Sequence, residues 1–229
     1  IDSSFQPATI AGGSQPDVYT LTAQPDGRIL AGGNFETVNG TPSKGLVRLN
    51  GDGTVDDTFV VGAGVTGGQS IVGGVYAITV QQDGRILIGG DFTAVDDVAR
   101  RHIARLEAGP SNSGTVDPTF GVTAGPNGTV DAIALQPDGR ILLGGDFTAV
   151  DGRSRNRVAR LTTTGALDAS FAPGSGANGV VGAIVLDGYR PLIVGNFTSV
   201  GGAKRSRVAR LNPNGSVDQT FVPNSVDAW

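Results

Sequence analysis

Four arginines recur with an amide or acid residue 14 positions ahead of each: Asn34 and Arg48, Asp91 and Arg105, Asp146 and Arg160, Asn196 and Arg210. A guanidinium is a planar fork that can bond two acceptors at once, backbone carbonyls included. This column therefore reads as a structural anchor tying strands together. Its acceptor is either the Asn/Asp column or the aspartate of a recurring Val-Asp-x-Thr-Phe segment (Asp56, Asp117, Asp168, Asp218). Catalysis has no need of four copies at one repeat position.

Other residue types with chemical potential are sparse. Asn50-Gly51-Asp52-Gly53-Thr54-Val55-Asp56 resembles a calcium loop, because closely spaced Asp and Asn oxygens around a glycine turn suit a hard cation. The equivalent Thr162-Thr163-Thr164-Gly165-Ala166-Leu167-Asp168 lacks those ligands, so a hairpin turn is the preferred reading and calcium the lesser one. Gly32-Gly33 and its copies are followed by neither Gly-Lys-Ser/Thr nor a helix, which removes a phosphate loop. His102 is the one histidine and its column holds Gly45, Arg157 and Arg207, so it is expected to be a surface residue. Arg153, Arg155 and Arg157, with Lys204, Arg205 and Arg207, make local basic loops, read here as solvated rather than anion-binding. Asn39, Asn127, Asn196 and Asn214 fit the glycosylation acceptor pattern, which Asn-Gly turns also generate.

Composition narrows the classes further. Cysteine is absent, which excludes a disulfide framework and cysteine-based zinc. The net charge of −4 gives no basic field for nucleic acid. Of 17 basic residues only Lys44 and Lys204 are lysine, and of 21 acidic ones only Glu36 and Glu107 are glutamate. Asp suits turns and Arg suits fixed multidentate bonds, so this is structural charge. No apolar run approaches ~18 residues, so no membrane insertion by a helix is expected.

The elements that position these residues are repeats. Four segments align: 5–58, 59–119, 120–170 and 171–220, with partial repeats at 1–4 and 221–229. Arg28 to Arg48 is 20 residues, as are Arg85 to Arg105, Arg140 to Arg160 and Arg190 to Arg210. Arg48 to Phe59 is 11, matched by Arg160 to Phe171 and Arg210 to Phe221, while Arg105 to Phe120 is 15 through an insertion after Glu107. Fixed strands with elastic loops mark a repeat architecture. Each repeat predicts four short strands: Val-x-Ala-Ile-like, then Arg-Ile-Leu-x-Gly-Gly-Asp-Phe after a Gln-Pro-Asp-Gly turn, then Val-Ala-Arg-Leu, then Val-Asp-x-Thr-Phe. The glycines, a pair in three copies but Gly195 alone in the fourth, imply a bulge or a close approach of neighbouring backbone. No segment carries a 3.6-residue apolar period, so essentially no helix is predicted. The fold class is all-β: tandem four-stranded antiparallel blades, a β-propeller or part of one, as a single repeat domain over 1–229.

The pattern Gln-Pro-Asp-Gly-Arg-Ile-Leu-x-Gly-Gly-Asp-Phe…Ala-Arg-Leu…Gly-x-Asp-x-x-Phe resembles the Delta-60 repeat, a bacterial family classed with β-propellers, over nearly the whole chain. The resemblance implies a secreted or surface-associated bacterial protein with no agreed activity. The fourth repeat departs from it, with Leu186-Asp187-Gly188-Tyr189-Arg190-Pro191 at the hairpin turn. A chain opening Ile1-Asp2-Ser3 and ending mid-repeat at Trp229 is expected to be a piece of a larger ring or assembly.

The expected function is a non-enzymatic extracellular structural or adhesive interaction module, secreted or on the cell surface. Its partners would be protein or glycan at the cell surface, or additional repeats of the same protein. A carbohydrate-binding propeller is the alternative, although Trp229, Tyr19, Tyr76 and Tyr189 are few platforms; an enzyme on a propeller scaffold comes third. No residue is assigned to catalysis, cofactor or metal, no cofactor is expected beyond the lesser calcium reading, and sequence leaves the ligand-binding surface unassigned.

Overall fold

The computed structural model describes residues 5–12, 15–68, 74–109 and 113–222. The expected partial repeat at 1–4, that at 221–229 apart from its first two residues, and most of the insertion after Glu107 lie outside them. All regular structure among the described residues is β. The chain divides into two compact units, residues 1–118 and 119–229. The first holds repeats 1 and 2, the second repeats 3 and 4.

Each repeat builds one antiparallel three-stranded sheet in chain order. Repeat 1 contributes β1 (Asp17–Ala23), β2 (Ile29–Asn34) and β3 (Leu46–Leu49). Repeat 2 contributes β4 (Gly74–Val80), β5 (Ile86–Asp91) and β6 (Ile103–Leu106). In the second unit repeat 3 forms β7 (Val130–Leu135), β8 (Ile141–Gly145) and β9 (Val158–Leu161), and repeat 4 forms β10 (Val181–Asp187), β11 (Arg190–Gly195) and β12 (Val208–Arg210). The first two strands meet through the predicted tight turn, whose glycine takes positive φ (86° at Gly27, 87° at Gly84, 80° at Gly139).

The expected fourth strand is a correction. Val55, Val116 and Leu167 each make one isolated antiparallel bridge to the third strand, and Val217 makes one to Leu211 just beyond it. Pairing stops there because the next residue is the aspartate, whose Oδ1 accepts from the backbone N–H and the hydroxyl two residues on, as Asp56 does from Thr58 at 3.0 and 2.6 Å. Such local side-chain bonds compete with a ladder and turn the chain away.

A second small hairpin lies between the second and third strands of every repeat: Thr37–Val38 with Thr41–Pro42, Ala94–Val95 with Val98–Ala99, Ala149–Val150 with Arg153–Ser154, and Ser199–Val200 with Ala203–Lys204. Both central residues of each turn have positive φ: Asn39 and Gly40, Asp96 and Asp97, Asp151 and Gly152, Gly201 and Gly202. This is what the mirror-image hairpin turns require, and Asn, Asp and Gly are the residues that tolerate it.

The glycine pair serves two different contacts. The first strand carries a bulge in all four repeats, between Val18 and Thr20, Val75 and Ala77, Val130 and Ala132, and Val181 and Ala183. The second glycine (Gly33, Gly90, Gly145, Gly195) lies opposite it, and a Cβ there would overlap the carbonyl oxygen of Asp17, Gly74, Thr129 or Val180. The first glycine faces the next repeat: a Cβ on Gly32 would lie 2.6 Å from Val75 Cγ1, and one on Gly144 2.7 Å from Val181 Cγ1. Repeat 4 keeps the bulge glycine and has Val194 in the other column.

Within each unit successive sheets stack face to face, β4 across β1 and β2, β10 across β7 and β8. In the first unit Leu30 and Leu46 of repeat 1 join a core with Val75, Ile78, Ile88 and Phe92 of repeat 2. In the second, Leu142 and Val158 of repeat 3 join Val181, Ile193 and Phe197 of repeat 4. The recurring phenylalanines at 35, 92, 147 and 197 and at 59, 120 and 171 are all buried. Main-chain bonds also tie the start of each repeat to its own end. The residue after each phenylalanine donates to the turn of the repeat it leads into: Gln6 N–H to Asp52 O, Val60 to Ser113, Gly121 to Thr164 and Ala172 to Asn214, at 2.7–3.0 Å.

Candidate functional site

The densest polar chemistry is a node repeated in every blade. Arg48 Nε donates to Asp56 Oδ2 at 2.7 Å, Arg105 to Asp117 at 2.7 Å, Arg160 to Asp168 at 2.8 Å and Arg210 to Asp218 at 2.9 Å. The acceptor is thus the aspartate of the fourth segment, and the Asn34/Asp91/Asp146/Asn196 alternative is corrected. Nη2 of Arg48 and Arg160 donates to the hydroxyl of Thr58 and Ser170. The guanidinium carbons of Arg48, Arg160 and Arg210 lie 4.8 Å from the ring centroids of Phe59, Phe171 and Phe221, within cation–π range. A second arginine, from the first turn, approaches the same carboxylate: Arg28 at 3.2 Å, Arg85 at 3.7 Å, Arg140 at 3.5 Å, Arg190 at 3.9 Å.

The remaining Nη1 reaches into the following repeat. Arg48 Nη1 donates to Ser113 Oγ at 3.0 Å, and Arg160 Nη1 to the Pro213 carbonyl at 2.6 Å. Arg160 also bonds Gln136 Oε1, while Gln136 Nε2 donates to the Tyr189 carbonyl. At Asp56 and Asp168 burial pushes the carboxyl up. The hydroxyl and backbone N–H of Thr58 or Ser170, with the anchoring arginine, outweigh it and hold both below the usual carboxylate range. At Asp218 the Thr220 hydroxyl is the largest cause, and the carboxyl is held down to about 2.

The Asn/Asp column has a different partner from the one expected. Asp146 pairs with Arg157 Nε at 3.2 Å, and Asp91 lies 3.9 Å from His102 Nδ1. His102 is therefore no surface residue: its side chain is largely buried, with Nδ1 3.1 Å from the Gly90 carbonyl. The column Gly45, His102, Arg157, Arg207 is left-handed throughout, with φ of 72°, 62°, 64° and 64°. Nothing but the lone glycine among the four signalled this.

The calcium-like loop spends its oxygens internally. Asp52 Oδ1 accepts from the Thr54 amide and hydroxyl, and Asp56 serves Arg48 and Thr58. Among the described residues no group of three His, Cys, Asp or Glu is gathered in metal-binding geometry. The basic loops do not converge either. Arg155 and Arg205 turn back to the carbonyls of Ser154 and Lys204, and Arg157 engages Asp146 and the Ala177 carbonyl. Asn39 and Asn127, two of the acceptor-pattern asparagines, use Oδ1 to accept backbone N–H groups.

One aromatic pair stands out. Tyr19 and Tyr76 occupy the bulge position of repeats 1 and 2 and meet edge to face, centroids 5.3 Å apart, with Tyr19 half exposed. Asp131 and Gly182 fill that column in repeats 3 and 4. A 330 Å³ groove in the first unit lies beside Lys44, Asp56, Asp57 and Phe59.

Tandem antiparallel sheets stacked through the same apolar and charged columns define a β-propeller repeat protein. The chain belongs to the DUF5122 β-propeller family, described as a domain of unknown function, whose pattern matches residues 24–59, 81–120, 136–171 and 192–221. No curated protein matches it. Solved structures similar to it include the extracellular domain of a putative one-component system from B. thetaiotaomicron, at 15% identity and a TM-score of 0.45, covering 84% of this chain but only 21% of that one. Another is a protein of unknown function from Bacteroides caccae, at 13% identity and 0.45, covering 90% of this chain and 81% of that one. Among the described residues no helix is long and apolar enough to cross a membrane.

Proposed function

We propose that the chain is a non-enzymatic interaction module of the Delta-60 repeat type, displayed outside a bacterial cell as a rigid structural or adhesive scaffold. One observation carries this reading: the charged residues present in every repeat are consumed in holding repeats together. Arg48, Asp56, Thr58 and their counterparts bond one another, and Arg48 and Arg160 bond the next repeat's turn as well. A side chain so committed is unavailable as an acid, base or ligand, whereas a rigid array presents variable loops to a partner. On this reading the module works without cofactor or catalytic metal, and its partners are proteins or glycans at the cell surface. Antibody labelling of intact cells of the source bacterium tests the display. Labelling that appears only after lysis would place the protein inside and end the proposal.

A carbohydrate-binding reading is favoured by the Tyr19–Tyr76 pair, because an exposed ring face can stack on a sugar. It calls for one site on the first unit rather than one per repeat. A glycan array decides between the two: binding abolished by Tyr19→Ala would transfer the function to this pair.

A further inference from the structure

Among the described residues, the leading face of repeat 1 is open where the same face of repeat 2 is closed. Phe5, Val18 and Leu21 occupy the columns of Phe59, Val75 and Ile78. Val75 and Ile78 are buried beneath repeat 1, whereas Leu21 is 66% exposed and Val18 41%. Around them lies an apolar groove of 350 Å³, floored by Ala31, Phe35 and Val47. It is a core cluster in its own right, with one side uncovered.

The closed joints show what fits such a face. Repeat 1 covers repeat 2 with Leu30 and Leu46, and repeat 3 covers repeat 4 with Leu142 and Val158. Both covering sheets carry glycine where the successor's valine arrives, Gly32 against Val75 and Gly144 against Val181. Both also extend an arginine Nη1 into the successor's turn. Val18 stands in the receiving column of repeat 1, so its cover must be glycine there too. The trailing face of repeat 4 fails that condition, since Val194 fills the column.

We infer that the groove on repeat 1 is a directional docking surface for the trailing face of a further glycine-pair repeat, with Val18 entering over that repeat's glycine. It does not accept the Val194 face of a second copy. The inference does not depend on where the protein is displayed.

The absence of cysteine makes the test direct. Leu21→Cys places a unique thiol on the groove, and its reaction rate with a disulfide reagent reports access. Residues 5–58 are then repeated in tandem ahead of Phe5, with only the original Leu21 changed to Cys. Labelling is expected to slow by about tenfold or more, because covering a thiol removes reagent access. The same tandem chain with Gly32→Val in the added repeat should label at the original rate, and Val185→Cys on repeat 4 should label fast in every background. Equal labelling of the Leu21→Cys thiol with and without the added repeat would overturn the inference. Sedimentation supplies an independent arm: the unmodified chain should remain monomeric through this face. Concentration-dependent dimers abolished by Leu21→Asp would assign the groove to a second copy instead.

Discussion

Repeats 3 and 4 carry the same anchor in different settings. Arg160 is 4% exposed, and its Nη1 bonds the Pro213 carbonyl of the next repeat. Arg210 is 22% exposed, and its Nη1 turns back to Asp187, itself largely solvated. The other partners are shared: the aspartate, the hydroxyl two residues on, and the phenylalanine ring that opens the next segment. The anchor therefore has two separable halves, one folding its own repeat and one gripping the successor, and of these two repeats only repeat 3 uses both.

The largest expected effect comes from breaking the complete anchor. Arg160→Ala strands a buried carboxylate and should cost about 3–5 kcal/mol. Arg210→Ala removes charged hydrogen bonds at a wetter site and should cost about 1.5–3 kcal/mol. Arg155→Ala, in the adjacent loop, should stay within about 1 kcal/mol. Denaturant midpoints of the three variants measure the ordering; equal losses at 160 and 210 would show that the grip on the next repeat contributes nothing.

The glycine columns come next. Gly145→Ala overlaps backbone, the Thr129 carbonyl, whereas Gly144→Ala meets first the side chain of Val181 at 2.7 Å, which can shift more cheaply, and its carbonyl only at 3.0 Å. Overpacking of this kind costs about 1–3 kcal/mol, with position 145 at the upper end. Thermal melts of the pair resolve it, and the reverse order would mean that the joint is tighter than the bulge.

Acid sharpens the comparison in another way. Asp56, Asp168 and Asp218 all titrate below their ordinary value of 3.8, Asp218 at about 2. Between those limits the unfolded chain binds more protons than the folded one, so stability rises with pH there. The anchors' contribution is complete above about pH 5 and falls away with acid, at Asp218 toward about pH 2. Melting midpoints measured down that window should drop, and Asp168→Asn should flatten part of the slope. A midpoint that holds steady to pH 2 would contradict the depressed carboxyls.

The smallest effect is expected at His102. Its φ of 62° is uncomfortable for any residue but glycine, Asn or Asp. His102→Gly should leave stability unchanged or raise it by up to about 1 kcal/mol, relief of backbone strain offsetting the lost contact with the Gly90 carbonyl. His102→Val should lower it, and urea titration distinguishes the two.

These columns also show what one sequence can reveal. Comparing four copies exposed the strands, the turn glycines and the arginine anchor, because each depends on residues at fixed spacing. It could not choose the anchor's acceptor, since Asp56 and Asn34 stand at equally fixed distances from Arg48 and only the fold brings one of them to 2.7 Å. The fourth strand was over-read. Val-Asp-x-Thr-Phe has strand composition, yet its Asp-x-Thr core bonds its own backbone. The second hairpins were passed over although Asn39-Gly40 and Asp151-Gly152 are strong turn signals, because two-residue strands carry too little alternation to register. The open groove on repeat 1 has no local signature at all: Val18 and Leu21 look like their buried counterparts, and they are exposed because no repeat among the described residues covers them.

The main-chain bond from the residue after each phenylalanine has a consequence for inheritance. Val60 is encoded at the start of repeat 2 and Ala172 at the start of repeat 4, yet each completes the turn at the far end of its repeat. Each repeat is thus closed end to end on itself, while Arg48 and Arg160 reach across to the repeat that follows. Because the joints within the units use the same columns, an in-frame duplication or deletion between equivalent codons regenerates a whole joint wherever the exchange falls. Such an array can lengthen or shorten without inventing an interface. Repeat 4 is the exception, since Val194 would have to revert to glycine before another repeat of this kind could stack behind it.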